Sequence, residues 1–351
     1  MPKDSPLGLV LLTTVVDDFL ICCRDEHMEP VKSKLRAIWT ITDKGPAGWF
    51  INLRISRDRR SGIMKIDQTA YAEAKAREFG LQHDAGPVLP MPPSARLLKS
   101  MVPDDEDGKE AMAKVPYRSM TGSANYFRLT RPDLAVPASV NSQANSGWGP
   151  NHVHAAKQLL RHAHRTKHWG IGFAKSGKTL DEPWVLTVWV DASHASCPNT
   201  RRSRTGFFIT LNGNLLTYKS KLQPGVPAQS STEAEYRALS AALNEVVWII
   251  MVLKELGIKV KQPVTVKEDN QATIKLAENN MASARSKHID LKHHVIRYHS
   301  AKGTIKLEYV STSEMIADIL TKCLTKPAFE RLRATIMTDQ HVDENDDRYT
   351  Y

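Results

Sequence analysis

The chain of 351 residues has only four cysteines, Cys22, Cys23, Cys197 and Cys323, and none of them forms a CxxC pair or shows the even spacing of a disulfide framework. That excludes a small stapled fold and reads as a reduced, intracellular chain. A basic segment ahead of an apolar run is missing at the N-terminus, where the strongest apolar stretch, LLTTVVDDFLICC (11–23), is broken by Asp17 and Asp18. Neither a signal peptide nor a membrane span is expected there, and no membrane partner follows. Internal repeats are lacking too, so a solenoid or an array is excluded. At this length the sequence is long enough for two or three domains, each with its own core.

Positive charge is what the chain has in excess. The formal net charge is +10, and the last fourteen residues, TDQHVDENDDRYTY, carry five acids and one arginine. Residues 1–337 therefore hold 47 basic against 33 acidic side chains, or +14. A basic body suits a polyanionic partner, most often a nucleic acid, and the acidic tail is expected to be disordered.

Asp17 and Asp18 sit between two apolar runs. They read either as the tip of a β-hairpin or as part of a divalent-metal site, which requires a further carboxylate. The segment 48–68 gives a second hairpin around DRRSG, and TAYAEAKAREFGL a helix closed by Gly80. PVLPMPPS is an extended linker, followed by charged, low-order sequence to about residue 115. Two helical segments follow, separated by SGWGP.

The pattern changes near Trp184. WVLTVWVDAS alternates as a half-buried strand does, and Asn212-Gly213 marks a tight hairpin. Leu239, Leu243, Val246, Ile250 and Leu253 recur at helical spacing until Gly257. The remaining elements give the order β-β-β-α-β-α-α-β-α, with SEMIADILTK as the final helix. Strands alternating with helices after an opening meander imply one α/β domain with a mixed sheet covered by helices.

Four acids in this region are hard to explain by solvation. Asp191 and Asp269 fall at the carboxyl ends of strands, the edge where open α/β sheets bind ligands. Glu235 lies on the apolar stripe of its helix, and Asp318 lies among Ile316, Ile319 and Leu320. Structural alternatives remain open at this level: Ser230 with Glu233, or Thr232 with Glu235, fits a capping box, and Asp269 fits a helix cap. If the four converge, their oxygen-only set points to Mg²⁺ or Mn²⁺, and a pair of such ions suits phosphodiester hydrolysis. The histidines His152, His154, His162, His164 and His168, and His288, His293, His294 and His299, have no cysteine pair or HExxH beside them. They read as surface or nucleic-acid-facing groups, not as zinc ligands.

DASHASCPNTRRSRTGFFI, LLTYKSKLQPGVPAQSSTEAEYRAL, EDNQATIKLAEN, RSKHIDLKHHVIRY and EYVSTSEMIADILTK, in this order, resemble the ribonuclease H domain of copia-type LTR-retrotransposon Pol polyproteins. The resemblance implies a ribonuclease-H-like mixed five-stranded sheet flanked by helices over 184–324. It also implies that Asp191, Glu235, Asp269 and Asp318 are catalytic metal-binding carboxylates holding two ions, with Glu235, not Glu233, as the family's acid. VVDDFLICC is similar to the reverse-transcriptase signature, with Val15 in place of its aromatic residue. That makes Asp17 and Asp18 two of three polymerase metal ligands, the third expected upstream. YRSMTGSANYFRLTRPDL and HAAKQLLRHAHRTKHWGIGF resemble the connection between the two activities.

The expected organisation is thus a partial α+β reverse transcriptase, the end of the palm and a thumb-like part, over 1–93. A linker and helical connection occupy 94–183, ribonuclease H 184–324, and a C-terminal helix with the acidic tail 325–351. The expected function is that of a carboxyl-terminal Pol fragment, from a truncated copy or an incomplete gene, that hydrolyses the RNA strand of RNA-DNA hybrids. A catalytically silent nucleic-acid-binding remnant is the alternative. Arg201, Arg202, Arg204, Lys219 and Lys221 are the expected phosphate contacts. Only STSEM precedes the last acid where cellular relatives carry a mobile histidine loop, which implies slow product release. The expected location is the cytoplasm, within virus-like particles, and the nucleus.

Overall fold

The computed structural model describes residues 9–83, 85–278, 290–340 and 342. The start of the acidic tail corrects the expected disorder: Thr338 bridges to Gly170, the Gln340 carbonyl accepts from Lys65 and Val342 is buried, while its remaining residues, and the side chains of His288, His293 and His294, lie outside the described residues. The chain opens with the antiparallel hairpin β1 (Leu11–Val15) and β2 (Asp18–Cys22), in which Val15 pairs with Asp18 across a turn formed by Val16 and Asp17. Helix α1 (Asp25–Arg36) follows. A four-stranded antiparallel sheet contains β3 (Trp49–Phe50), β4 (Leu53–Asp58) and β5 (Ile63–Asp67). Helix α2 (Thr69–Glu78) ends at Gly80, whose φ of +65° is the left-handed conformation that glycine adopts without a Cβ penalty.

Four further helices are α3 (Glu106–Ala113), α4 (Tyr117–Phe127), α5 (Ala135–Ser142) and α6 (Pro150–Arg165). Helix α3 corrects the reading of that stretch as low-order: the Asp105 side chain accepts from the Gly108 N–H and caps it. Tyr117, Phe127, Leu134 and Leu159 pack α4 to α6 against α2 in one apolar cluster. Arg131 and Asp133 form a buried bidentate ion pair, and Arg131 also donates to the Thr166 carbonyl and hydroxyl, which ties the α4–α5 junction to the end of α6. The proline-rich segment is not the extended linker expected: it bends over residues 88–91 and turns at 93–94, and it lies along α6, with the Pro87 carbonyl 3.0 Å from His162 Nδ1 and the Leu89 carbonyl accepting from Gln158. Strand β6 (Ile171–Ala174) then returns to pair with β5.

The second half contains β7 (Leu186–Ser193), β8 (Arg204–Leu211), β9 (Asn214–Leu222), α7 (Ser231–Glu255), β10 (Val264–Glu268), α8 (Gln271–Glu278), α9 (Asp290–Ala301) and β11 (Ile305–Tyr309). The β8–β9 turn has Asn212 and Gly213 at φ of +50° and +85°, the two positive values that a type I′ hairpin requires. The sheet order is β11-β10-β7-β8-β9: β7, β8 and β9 run antiparallel, while β10 is parallel to β7 and β11 to β10. This mixed five-stranded arrangement with flanking helices is a ribonuclease-H-like α/β fold.

One face of the sheet is closed by α7. Leu186, Val188 and Val190 on β7 meet Leu239, Leu243 and Val246 on the helix, and alternate burial along β10 adds Val264 and Val266. The other face carries Phe208 and Leu215 against Leu320, Phe329 and Leu332, the last two from α10 (Lys326–Ile336).

Residues 313–322 do not form the expected α-helix. Two 3₁₀ turns, Thr312–Glu314 and Ile316–Leu320, occupy the stretch, separated by extended Met315. All five residues of the second turn are buried. A segment packed on every side has no solvent face for a regular amphipathic helix, and the tighter turn lets it lie flat against β7 and β8.

Candidate metal centre

Asp191 stands on β7 opposite Gly206 of β8, on the face that the Ile316–Leu320 turn covers. A Cβ on Gly206 would lie 2.5 Å from Thr321 Cγ2 and 2.9 Å from Leu320 Cβ. The glycine is therefore what allows the turn bearing Asp318 to reach the sheet beside Asp191. The Thr321 hydroxyl donates to Asp191 Oδ2, and the Asp318 carboxyl lies near enough for its charge to act on Asp191.

Glu235 comes from the first turns of α7. The Ser230 hydroxyl accepts from the Glu233 N–H, and Glu233 receives the Gln229 N–H and pairs with Arg237 at 2.5 Å. Glu233 is thus the capping acid, and Glu235, at 5 % exposure, is the one turned inward. Asp269 follows β10, and its Oδ2 accepts from the Thr312 hydroxyl at 2.8 Å. Asn270, one residue on, is the side chain that caps α8, by accepting from the Thr273 N–H.

Carboxylate oxygens of Asp191, Glu235 and Asp269 all lie within 4.8 Å of one another, the only such group of three or more His, Cys, Asp or Glu among the described residues. Asp318 adjoins this triangle through Asp191, and Lys322 Nζ lies 2.7 Å from Asp318 Oδ1. Burial and the Asp318 charge push the Asp191 carboxyl up to about 6. Burial, then the neighbouring Glu268, Asp191 and Asp269, push Glu235 up to about 11. Asp318 is raised chiefly by burial. Such a cluster is in electrostatic debt until cations enter it.

The donor set fits a divalent cation. All ligand atoms are hard oxygens, and Glu235 Oε2 is buried with no hydrogen-bond partner in the protein, an acceptor left available to an ion.

The sequence reading missed Glu268. It is fully buried, its Oε1 accepts from the Asn270 N–H, and its Oε2 has no partner. Burial and the surrounding acids raise its pKa well above the ordinary glutamate value. Alternation along β10 was the available signal, since Val264, Val266 and Glu268 share the inward face.

The other expected site residues are scattered. Asp17 and Asp18 are exposed at the tip of the N-terminal hairpin, as the turn reading requires, and no third carboxylate joins them among the described residues. Arg201, Lys219 and Lys221 are exposed, and Arg202 donates through Nε to the Gln223 carbonyl. Arg204 is a correction. It is 2 % exposed and donates to the hydroxyls of Ser139 and Ser220, so it ties α5 to the sheet and is not a surface phosphate contact. His152 and His162 are likewise buried, not surface groups. His152 Nδ1 accepts from the Gly149 N–H, and burial lowers His162 to about 3.

No family model matches the chain. It is 35 % identical over 328 residues to the retrovirus-related Pol polyprotein from transposon TNT 1-94 of Nicotiana tabacum, covering 93 % of this chain and 24 % of that protein. It is 31 % identical over 331 residues to the corresponding polyprotein from transposon RE1 of Arabidopsis thaliana, covering 94 % and 22 %. Among solved structures, LC11-RNase H1, isolated from compost, is 17 % identical with a TM-score of 0.32 over 42 % of this chain and 96 % of its own. The chain spans about a quarter of the length of the curated polyproteins it matches, and it belongs to the retrovirus-related Pol polyproteins of copia-type transposons.

Proposed function

We propose that residues 184–324 form a divalent-metal-dependent ribonuclease H that hydrolyses the RNA strand of RNA-DNA hybrids. The observation that carries this reading is the meeting of Asp191, Glu235 and Asp269 within 4.8 Å at one sheet edge, with Asp318 beside them. The preferred ions are Mg²⁺ or Mn²⁺, two per site, because an all-carboxylate set leaves coordination positions for water and phosphate oxygens.

Bound there, the metal would supply activation of a water and neutralisation of charge on the phosphodiester. The protein's part is positional. Asp191 is fixed by the Thr321 hydroxyl, Asp269 by the Thr312 hydroxyl, and Glu235 by the buried face of α7. Three ligands on three different elements hold their spacing because each element is anchored in the core. Asp269 alone of the three is half-buried, so it marks the side from which substrate enters.

Lys219 and Lys221 on β9, with Arg201 and Arg202 in the preceding loop, are the proposed phosphate contacts, and the net positive body favours such a partner. Recognition of 2′-hydroxyls across the minor groove would separate RNA from DNA in the hybrid. In this reading residues 1–93 are the end of a reverse transcriptase, 94–183 its connection and 325–351 a terminal helix and tail. Asp17 and Asp18 then belong to a polymerase site completed by a carboxylate elsewhere in a longer polyprotein, active in the cytoplasm and nucleus.

The test is incubation of the protein with an end-labelled RNA-DNA hybrid and Mg²⁺. Cleavage of the RNA strand that is abolished by EDTA and by Asp269→Asn supports the enzyme. Hybrid binding with no cleavage would assign the chain to the alternative, a silent nucleic-acid-binding remnant.

A further inference from the structure

Lys322 is a cation built into the acid cluster. It lies one turn after Asp318, and its Nζ reaches Asp318 Oδ1 at 2.7 Å. The neighbouring residue, Thr321, donates to Asp191. A single turn therefore delivers one acid, one hydroxyl and one ammonium to the same corner.

The corners of the cluster are not equivalent. Asp191, Glu235 and Asp269 present oxygens within 4.8 Å of one another, among the described residues no ammonium lies within ion-pair distance of any of them, and Glu235 Oε2 has no hydrogen-bond partner. Asp318 stands outside that triangle with one oxygen already occupied by Lys322. An ion entering the triangle meets only carboxylates. An ion that uses Asp318 must either displace the ammonium from Oδ1 or bind beside it, and the like charge of that ammonium opposes it at short range. The Lys322 side chain is about two-fifths exposed, so it can swing outward when displaced.

We propose that Lys322 is a positioning residue that occupies the Asp318 corner of the metal-free site and sets the order of metal binding, the first ion entering the Asp191–Glu235–Asp269 triangle and the second binding only as Lys322 gives way. This rests on the metal-dependent reading of the site. In this role the lysine neutralises part of the cluster's charge when ions are scarce.

The experiment counts Mn²⁺ bound to the full chain by electron paramagnetic resonance of the free ion, for the wild type, Lys322→Met and Lys322→Gln, with circular dichroism to verify folding. The wild type is expected to bind in two steps, the second at least tenfold weaker than the first. Either neutral variant should tighten the second step about tenfold and leave the first within a few-fold. Superimposable curves for wild type and both folded variants would overturn the proposal, as would weakening of both steps in the variants. If the wild type cleaves the hybrid while its curves match those of the variants, only the role of Lys322 fails. If it binds no Mn²⁺ and Asp269→Asn changes nothing, the metal reading fails with it.

Discussion

Gly206 and Thr321 are in van der Waals competition for one space: a Cβ on the glycine would sit 2.5 Å from the threonine methyl, on the strand position paired with Asp191. Gly206→Ala is expected to lift the Ile316–Leu320 turn, detach Thr321 from Asp191 and move Asp318 from the cluster. Overpacking of this kind costs about 1–3 kcal/mol. Thermal unfolding should report that loss, and hybrid cleavage should fall more than tenfold. Unchanged activity would show that the turn tolerates displacement.

The raised Asp191 carboxyl gives the metal-free protein a specific pH dependence. A carboxyl whose pKa is higher folded than unfolded contributes stability that is fully present below its unfolded value near 4. That stability is lost as pH rises through the folded value of about 6. In EDTA, Asp191→Asn should therefore gain stability relative to the wild type between pH 4 and 7, on the order of 2 kcal/mol. Urea unfolding at several pH values measures it, and saturating Mg²⁺ should remove the gain. A difference independent of pH would contradict the assigned burial and repulsion.

Glu268 makes a second electrostatic prediction. Its carboxyl is fully buried beside Glu235, with one oxygen unpartnered. Glu268→Gln keeps the shape and the acceptor for the Asn270 N–H and removes the acid. The metal-free variant should be more stable by about 1 kcal/mol at neutral pH. Denaturant midpoints in EDTA decide the matter, and a destabilised variant would mean that Glu268 is held by a partner that Gln cannot satisfy.

The strands and most helices of the second half were legible because each carries its own period: alternation in WVLTVWVDAS, Asn212-Gly213 between two β-prone runs, and a helical stripe up to Gly257. Asp191, Glu235, Asp269 and Asp318 were legible as acids in places that solvation does not explain. Glu233 and Glu235 were inseparable on spacing, since both fit a cap; the Ser230 hydroxyl bonds the Glu233 N–H and thereby decides. The Ile316–Leu320 turn escaped the reading because an all-apolar run around one acid has the same letters in a buried 3₁₀ turn as in a helix. Arg204 escaped it because its partners, Ser139 and Ser220, are 65 and 16 residues away and only the fold brings them together. Glu268 was overshadowed by Asp269, although the alternation of β10 points it inward.

The central claim, that separated acids meet to hold hard cations, is tested most directly by anomalous diffraction from crystals soaked in Mn²⁺. The account predicts a manganese peak bounded by the carboxylates of Asp191, Glu235 and Asp269, absent from Asp269→Asn crystals. Manganese bound elsewhere, with nothing among these three side chains, would contradict it.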